Sequence, residues 1–289
     1  MNYIILTDST TDLSPALVKE MDVVVLPMVF TIDGASYRND PEESQLSCKA
    51  FYDLLREEKT STTSQITVAE FESAVKPYLQ DGVDVLYLAF SSGLSGTYNS
   101  ARLAFETLRE KYPERKLLCV DTLAASMGEG LLVYYAAMQR KAGKSIDAVA
   151  AWVRENRLRL CHWFTVDDLH HLKRGGRVSG AAALVGTMLG IKPVLHVDDE
   201  GHLTPMEKVR GRKASLDALC NHMQDTCENP SEQTVFISHG DCLADGKYVA
   251  DEVKRRFGVK KVYINSIGPV IGSHSGPGTI ALFFLGSKR

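Results

Sequence analysis

Nowhere in the chain does an apolar run reach the length needed to cross a bilayer. The opening residues, Met1-Asn2-Tyr3-Ile4, carry no basic segment and pass directly into an apolar stretch. No secretory signal is therefore expected, and the reading places the protein in the cytoplasm. Patterned cysteine is missing as well. The six thiols, Cys48, Cys119, Cys161, Cys220, Cys227 and Cys242, include no CxxC pair and keep no regular spacing. Neither a disulfide framework nor a zinc site is expected from them. A strong charge imbalance is lacking too. A formal net charge of −3 gives no bulk attraction for nucleic acid. The usual phosphate signatures are absent: there is no GxxxxGK[ST], and no GxGxxG follows the first apolar run. His170 and His171 are neighbours, which diverge on a helix, and no HExxH accompanies them, so no metal is expected.

What is present is alternation. At 289 residues the chain is longer than one hydrophobic core usually serves, so two domains are expected. Short apolar runs at Tyr3-Ile4-Ile5-Leu6, Val23-Val24-Val25-Leu26, Val85 to Phe90 and Lys116 to Thr122 read as strands. Between them lie helical patterns at 13–19, 48–58, 68–79 and 101–108, and a hairpin turning at Asp33-Gly34. Strand and helix in alternation imply a parallel sheet. The polar stretch Lys59 to Thr67 reads as a linker or a binding loop. The helix from Ala124 to Gly143 is apolar around much of its girth, and so is Ala181 to Gly190. After Gly143 the pattern changes, with strands expected at 162–166, 191–197, 201–206, 235–239 and 262–266, the last clear ones, and an apolar run at 280–284 in the tail. The division is drawn as 1–160 and 161–289. The first is an α/β domain, a mostly parallel three-layer sandwich. The second is a mixed sheet with helices.

The stretch Val83 to Arg109 holds the most chemistry. After the strand, six of the next seven residues, Ser91-Ser92-Gly93-Leu94-Ser95-Gly96-Thr97, are Ser, Gly or Thr, and a helix follows. The first amides of a helix lack internal partners and carry partial positive charge. With hydroxyls and bare glycine backbone beside them, they make a cradle for phosphate, sulfate or carboxylate. Asp8, Ser91 and Asp121 each end a strand, and right-handed crossovers bring those ends to one edge, where open α/β sheets bind ligands. Asp8, Asp12 and Asp121 read equally well as ordinary caps. Two basic clusters stand apart: Lys173-Arg174-Gly175-Gly176-Arg177, and Lys208, Arg210, Arg212 and Lys213. Near the end, His274 sits among glycines and serines, a poor core position and a good polar contact. Gly93 to Thr97 falls one residue short of a G-x-S-x-G nucleophile elbow, which leaves a hydrolase or phosphotransferase using Ser95 with His274 as the alternative to a binding role.

Taken in order, several short motifs resemble those of the DegV family of bacterial fatty-acid-binding proteins. They are Leu6-Thr7-Asp8-Ser9-Thr10-Thr11-Asp12-Leu13, Thr63-Ser64-Gln65, Ser91 to Tyr98, Val120-Asp121-Thr122, Leu172 to Ser179, Ile191-Lys192-Pro193, Lys208-Val209-Arg210-Gly211 and Gly272 to Gly278. The resemblance spans essentially the whole chain. It implies two α/β domains with one long-chain fatty acid between them and no cofactor or metal. Thr63 and Ser95 would bind the carboxylate and Gly96 would offer its amide. His274 would join the network. Ser64, Ser92 and Gly93 complete the implied set, with Ser92 and Ser95 as alternatives for the closer contact. Arg174, Arg177, Arg210 and Arg212 would face partners, a fatty acid kinase catalytic subunit and a membrane acyltransferase. The protein would then be a lipid carrier for acyl-phosphate and phospholipid synthesis rather than an enzyme by itself. A cradle of neutral hydroxyls without Lys or Arg suits the single charge of a carboxylate. The helices Leu131 to Met138 and Ala181 to Leu189 would line an acyl tunnel.

Overall fold

The computed structural model describes residues 2–178 and 190–289, so the apolar segment expected to be helical at 181–190 lies outside the described residues except at its last position. In chain order the elements begin with β1 (Tyr3–Asp8), α1 (Pro15–Met21), β2 (Val24–Leu26), β3 (Met28–Ile32), β4 (Ala35–Asn39) and α2 (Cys48–Arg56). There follow β5 (Ser61–Ser64), α3 (Val68–Gln80), β6 (Asp84–Ala89), α4 (Thr97–Lys111), β7 (Leu117–Asp121), α5 (Ser126–Lys141) and α6 (Ile146–Asn156). The remainder is β8 (Leu160–Thr165), α7 (His170–Gly175), β9 (Ile191–Val197), β10 (Leu203–Arg210), α8 (Arg212–Thr226), β11 (Thr234–His239), α9 (Leu243–Phe257), β12 (Lys261–Ser266), α10 (Pro269–Ser275) and β13 (Ile280–Leu285).

Strands β2-β1-β6-β7 form a wholly parallel sheet, as the alternation implies. Along β6 the side chains part by turns. Val85, Tyr87 and Ala89 pack with Phe71, Val75, Ala101 and Phe105 of α3 and α4, while Leu86 and Leu88 pack with α5. The sheet is thus buried on both faces, which explains why its strands read as unbroken apolar runs. The second sheet has the order β10-β9-β8-β13-β11-β12 and is mixed, with only β11 and β12 parallel. One of its faces carries α8 and α9 through Leu216, Leu219, Val249 and Val253. The other meets α5, whose Leu131, Leu132 and Val133 share one core with Ile5 and Leu88 and with Phe164, Leu195 and Phe236. Helix α5 is apolar all round because it is a layer common to both sheets.

A third sheet, β4-β3-β5, is antiparallel; its β3–β4 hairpin turns at Asp33-Gly34 as expected, and β5 is the strand that the sequence did not announce. The polar stretch taken there as a linker or loop contains β5, which pairs Ser61, Thr62, Thr63 and Ser64 with β3. Its polarity reflects an edge strand, half in contact with solvent. Helix α10 packs on β3, β5 and α2, so a segment near the end of the chain closes over one near its start.

Candidate functional site

A cavity of about 490 Å³ lies against the inner face of the mixed sheet, well within the size range of small-molecule sites. Its body is apolar, with Phe164, Phe283, Leu203, Val270 and Ile271 among its walls. One end is polar. Thr63, Ser64, Ser95, Gly96 and His274 all line it.

Each of these is placed by its local structure. Ser61 and Thr63 point from the same side of β5, two residues apart. They meet successive residues of α10: Ser61 Oγ lies 2.7 Å from Ser273 Oγ, and Thr63 Oγ1 lies 2.8 Å from His274 Nε2. Ser95 Oγ is 2.9 Å from Thr97 Oγ1 and accepts from the Thr97 amide, tying it to the first turn of α4. Gly96 lies against the Gln65 amide with no space for a side chain. The His274 ring rests on Gly175, where a Cβ would collide with Nδ1. Burial, with Arg177 nearby, depresses the His274 pKa to about 4, so the ring is neutral at physiological pH.

Some expected site residues stand elsewhere. Ser92 and Gly93 do not line the cavity. The Ser92 amide donates to Asp121 Oδ1, and Gly93 packs on the backbone of Glu200 and Gly201, so this half of the loop is turned against the β9–β10 connection. Between Ser92 and Ser95, it is Ser95 that faces the cavity. Asp8 and Asp121 cap their own loops and also accept from the neighbouring β6 strand and its loop, through Tyr87 and the Ser92 amide, while Asp12 reaches across to the Gly268 amide. The parallel strand ends do converge, but these three carboxyls are not in the cavity wall.

The basic residues need two corrections. Arg177 lines the cavity, held by the carbonyls of Leu94 (3.3 Å) and Gly175 (2.5 Å), so the cradle is not free of arginine. Arg212 is an internal clamp. It binds Asp245 Oδ2 at 2.7 Å and the Gly278 carbonyl at 2.6 Å, with Asp167 also near. Arg174 and Arg210 remain exposed. The expected tunnel wall is corrected too: Leu131 to Met138 do not reach the cavity, because α5 is committed to the two sheets. The apolar walls come instead from β8, β9, β10, β13 and α10, through Phe164, Val197, Leu203, Phe283 and Val270 among others. Ala181 to Leu189 fall outside the described residues.

The arrangement does not build a nucleophile–base pair. The Ser95 hydroxyl bonds Thr97 while His274 Nε2 is taken by Thr63. His274 Nδ1 has no hydrogen-bond partner, where a triad would place an orienting acid. The site has the features of a binding cradle: hydroxyls, a neutral imidazole and one guanidinium over an apolar hollow. Ser126, Ser238, Ser275 and His162, which the sequence reading did not single out, also line this cavity. Small serines inside apolar or glycine-rich segments gave no signal of their own.

A family model described as an uncharacterised protein of the DegV family matches residues 2–287. The chain is 49% identical over 287 residues to a DegV domain-containing protein of Clostridium perfringens, covering 99% of this chain and 98% of the relative. Among solved structures it is similar to a DegV lipid-binding protein of Thermotoga maritima, with a TM-score of 0.87, 31% identity and full coverage of both chains. It is likewise similar to a DegV family protein of Thermus thermophilus described for its fatty acid binding, with a TM-score of 0.86, 32% identity, and 99% and 100% of the two chains covered.

Proposed function

Since this chain belongs to the DegV family, we propose that it binds one long-chain fatty acid. The carboxylate lies at Thr63, Ser95, Gly96 and His274, and the acyl chain lies in the cavity along the mixed sheet. The observation that carries this reading is a single cavity with hydroxyls and a neutral histidine at one end and an apolar body. A carboxylate only accepts hydrogen bonds. Its arrival favours one orientation of the chain of donors: His274 Nε2–H donates to Thr63 Oγ1, which frees the threonine hydrogen for the ligand. Arg177 supplies opposite charge at the same end. Each methylene buried in the apolar body adds about 0.8 kcal/mol, so the tail sets affinity and the head sets orientation.

The chain acts in this reading as a cytoplasmic carrier. It presents the bound acid to a separate kinase subunit for acyl-phosphate formation, on the way to a membrane acyltransferase and phospholipid synthesis. This step rests on the family resemblance. Arg174, which also touches His171 Nδ1, and Arg210 are exposed and accessible to such contacts.

Mass spectrometry of a denatured extract of the purified protein tests the binding. Long-chain fatty acid is expected at close to one per chain. Ser95→Ala and Thr63→Ala should each weaken retention roughly 10- to 100-fold, the effect of one lost hydrogen bond to a charged group. Unchanged retention in both variants would overturn the assignment.

A further inference from the structure

Besides Thr63, Ser95 and His274, further hydroxyls line the cavity: Ser126 and Ser238, which touch each other, and Ser275, which follows His274 on α10. All three are buried. None of them bonds to Thr63, Ser95 or His274. Ser275 Oγ has no hydrogen-bond partner, although the residue is only 6% exposed. A buried hydroxyl left unpaired on a cavity wall needs an explanation, and a ligand atom is one. Ser126 adds a backbone observation. Its φ of 54° is in the left-handed region, uncommon for a residue with a side chain. That conformation holds Ser126 Oγ between Asp12 Oδ2 at 2.5 Å and Ser238 Oγ at 3.0 Å.

A serine hydroxyl has one hydrogen and touches here two oxygens. Asp12 is buried, and its other oxygen accepts from the Gly268 amide. Ser126 donates to Asp12 Oδ2, and the single contact to Ser126 leaves Ser238 Oγ with hydrogen-bonding capacity unused on the cavity wall. With Ser275 unpaired, the wall presents two hydroxyls to whatever lies there. Around them the surface is apolar: Ala281 pairs with Ser238 across the sheet, and Phe283 and Phe164 lie close by. An unsubstituted alkyl chain would leave both hydroxyls unsatisfied.

We propose that Ser126, Ser238 and Ser275 form a second polar station that selects an acyl chain bearing an oxygen, a hydroxyl or keto group away from the carboxylate. This rests on the reading of the cavity as a fatty-acid site. The station makes the position of the substituent matter, because the carboxylate is fixed in its own cradle at Thr63, Ser95 and His274.

The test uses the full chain and a bound fluorescent fatty acid, displaced by octadecanoic acid and by its positional hydroxy isomers. One position is expected to bind about five- to tenfold more tightly than the other isomers, the effect of one or two neutral hydrogen bonds. In Ser238→Ala, and separately in Ser275→Ala, the ratio between that isomer and its neighbours should fall towards one, with folding checked by thermal melting. The proposal is overturned if octadecanoic acid binds but every hydroxy isomer binds more weakly, by a factor that neither variant changes. If octadecanoic acid itself fails to displace the probe, the fatty-acid reading falls and the station with it.

Discussion

Asp8, Asp12 and Glu129 are buried carboxyls gathered at the edge of the parallel sheet, and among the described residues hydroxyls and amides serve them rather than cations. Thr10 Oγ1 lies 2.5 Å from Asp8 and 2.8 Å from Glu129, Tyr87 donates to Asp8 at 2.6 Å, and Ser126 donates to or accepts from Asp12. Burial raises the pKa of all three, that of Asp12 from 3.8 to about 8. A carboxyl raised in this way binds its proton more firmly in the folded state than in the unfolded one. Its contribution is fully present below 3.8 and is lost as pH rises to about 8. His274, depressed to about 4, acts in the opposite sense and costs stability as pH falls below its ordinary value of 6.5. Asp12→Asn keeps an acceptor for the Gly268 amide and a donor for Ser126 but has nothing to titrate. Its melting temperature, followed across that interval, should fall less steeply with pH than that of the unaltered chain. Parallel profiles would mean that Asp12 ionises normally. The sequence marked Asp8 and Asp12 as strand-end residues but could not say whether they capped or bound, because the Gly268 and Ser126 partners lie 256 and 114 positions away. Ser95 and His274 drew notice in the sequence as polar residues among small ones, whereas Thr63 was named only through the family resemblance.

Helix α10 shows how an element can escape the sequence. Its seven residues include an interior glycine, a histidine and two serines, and no isolated peptide of that kind holds a helix. Pro269 at its first position and Gly276 just after it are start and stop signals, yet they read equally as loop. Packing decides the matter. Gly272 sits on the rings of α2, where a Cβ would come within 2.6 Å of the Tyr52 hydroxyl and 2.9 Å of Phe51 Cε1. Both rings are fully buried and Tyr52 is tied to the Ile267 carbonyl, so neither has space to yield. In Gly272→Ala the gain in helix propensity of about 1 kcal/mol opposes an overpacking cost of about 1–3 kcal/mol. Net destabilisation is expected in urea unfolding, together with weaker lipid retention, since the same helix carries His274 two residues on. A more stable variant with full retention would show that α2 and α10 can part freely. Strand β5 was missed for the complementary reason. Its composition, STTS, is that of a loop, and only the ladder to β3 makes it a strand.

The whole molecule is organised by a layer that belongs to neither sheet alone. Periodicity showed that α5 would be buried, but a pattern of apolar residues does not name the surfaces that cover them. The parallel sheet and most strands of the mixed one were therefore legible, and so was the helix, but not that both sheets share it. We propose that residues 1–160 and 161–289 form two lobes that fold as one unit, because Leu131, Leu132 and Val133 lose cover from both sheets if either comes away. The two tryptophans report on the two sides. Trp152 on α6 packs against Tyr135, and Trp163 on β8 stacks on His222 with ring centroids 3.5 Å apart. In Trp152→Phe and in Trp163→Phe one reporter remains, and its fluorescence in urea should follow the circular dichroism of the same variant, as a two-state transition requires. Added fatty acid should move both curves to higher urea together, because a ligand bound only to the native state stabilises the whole cooperative unit. If the Trp163 signal were lost before the dichroism while Trp152 held, the mixed sheet would be separable. The cavity wall would then open without unfolding the rest, and α5 would have to tolerate one bare face.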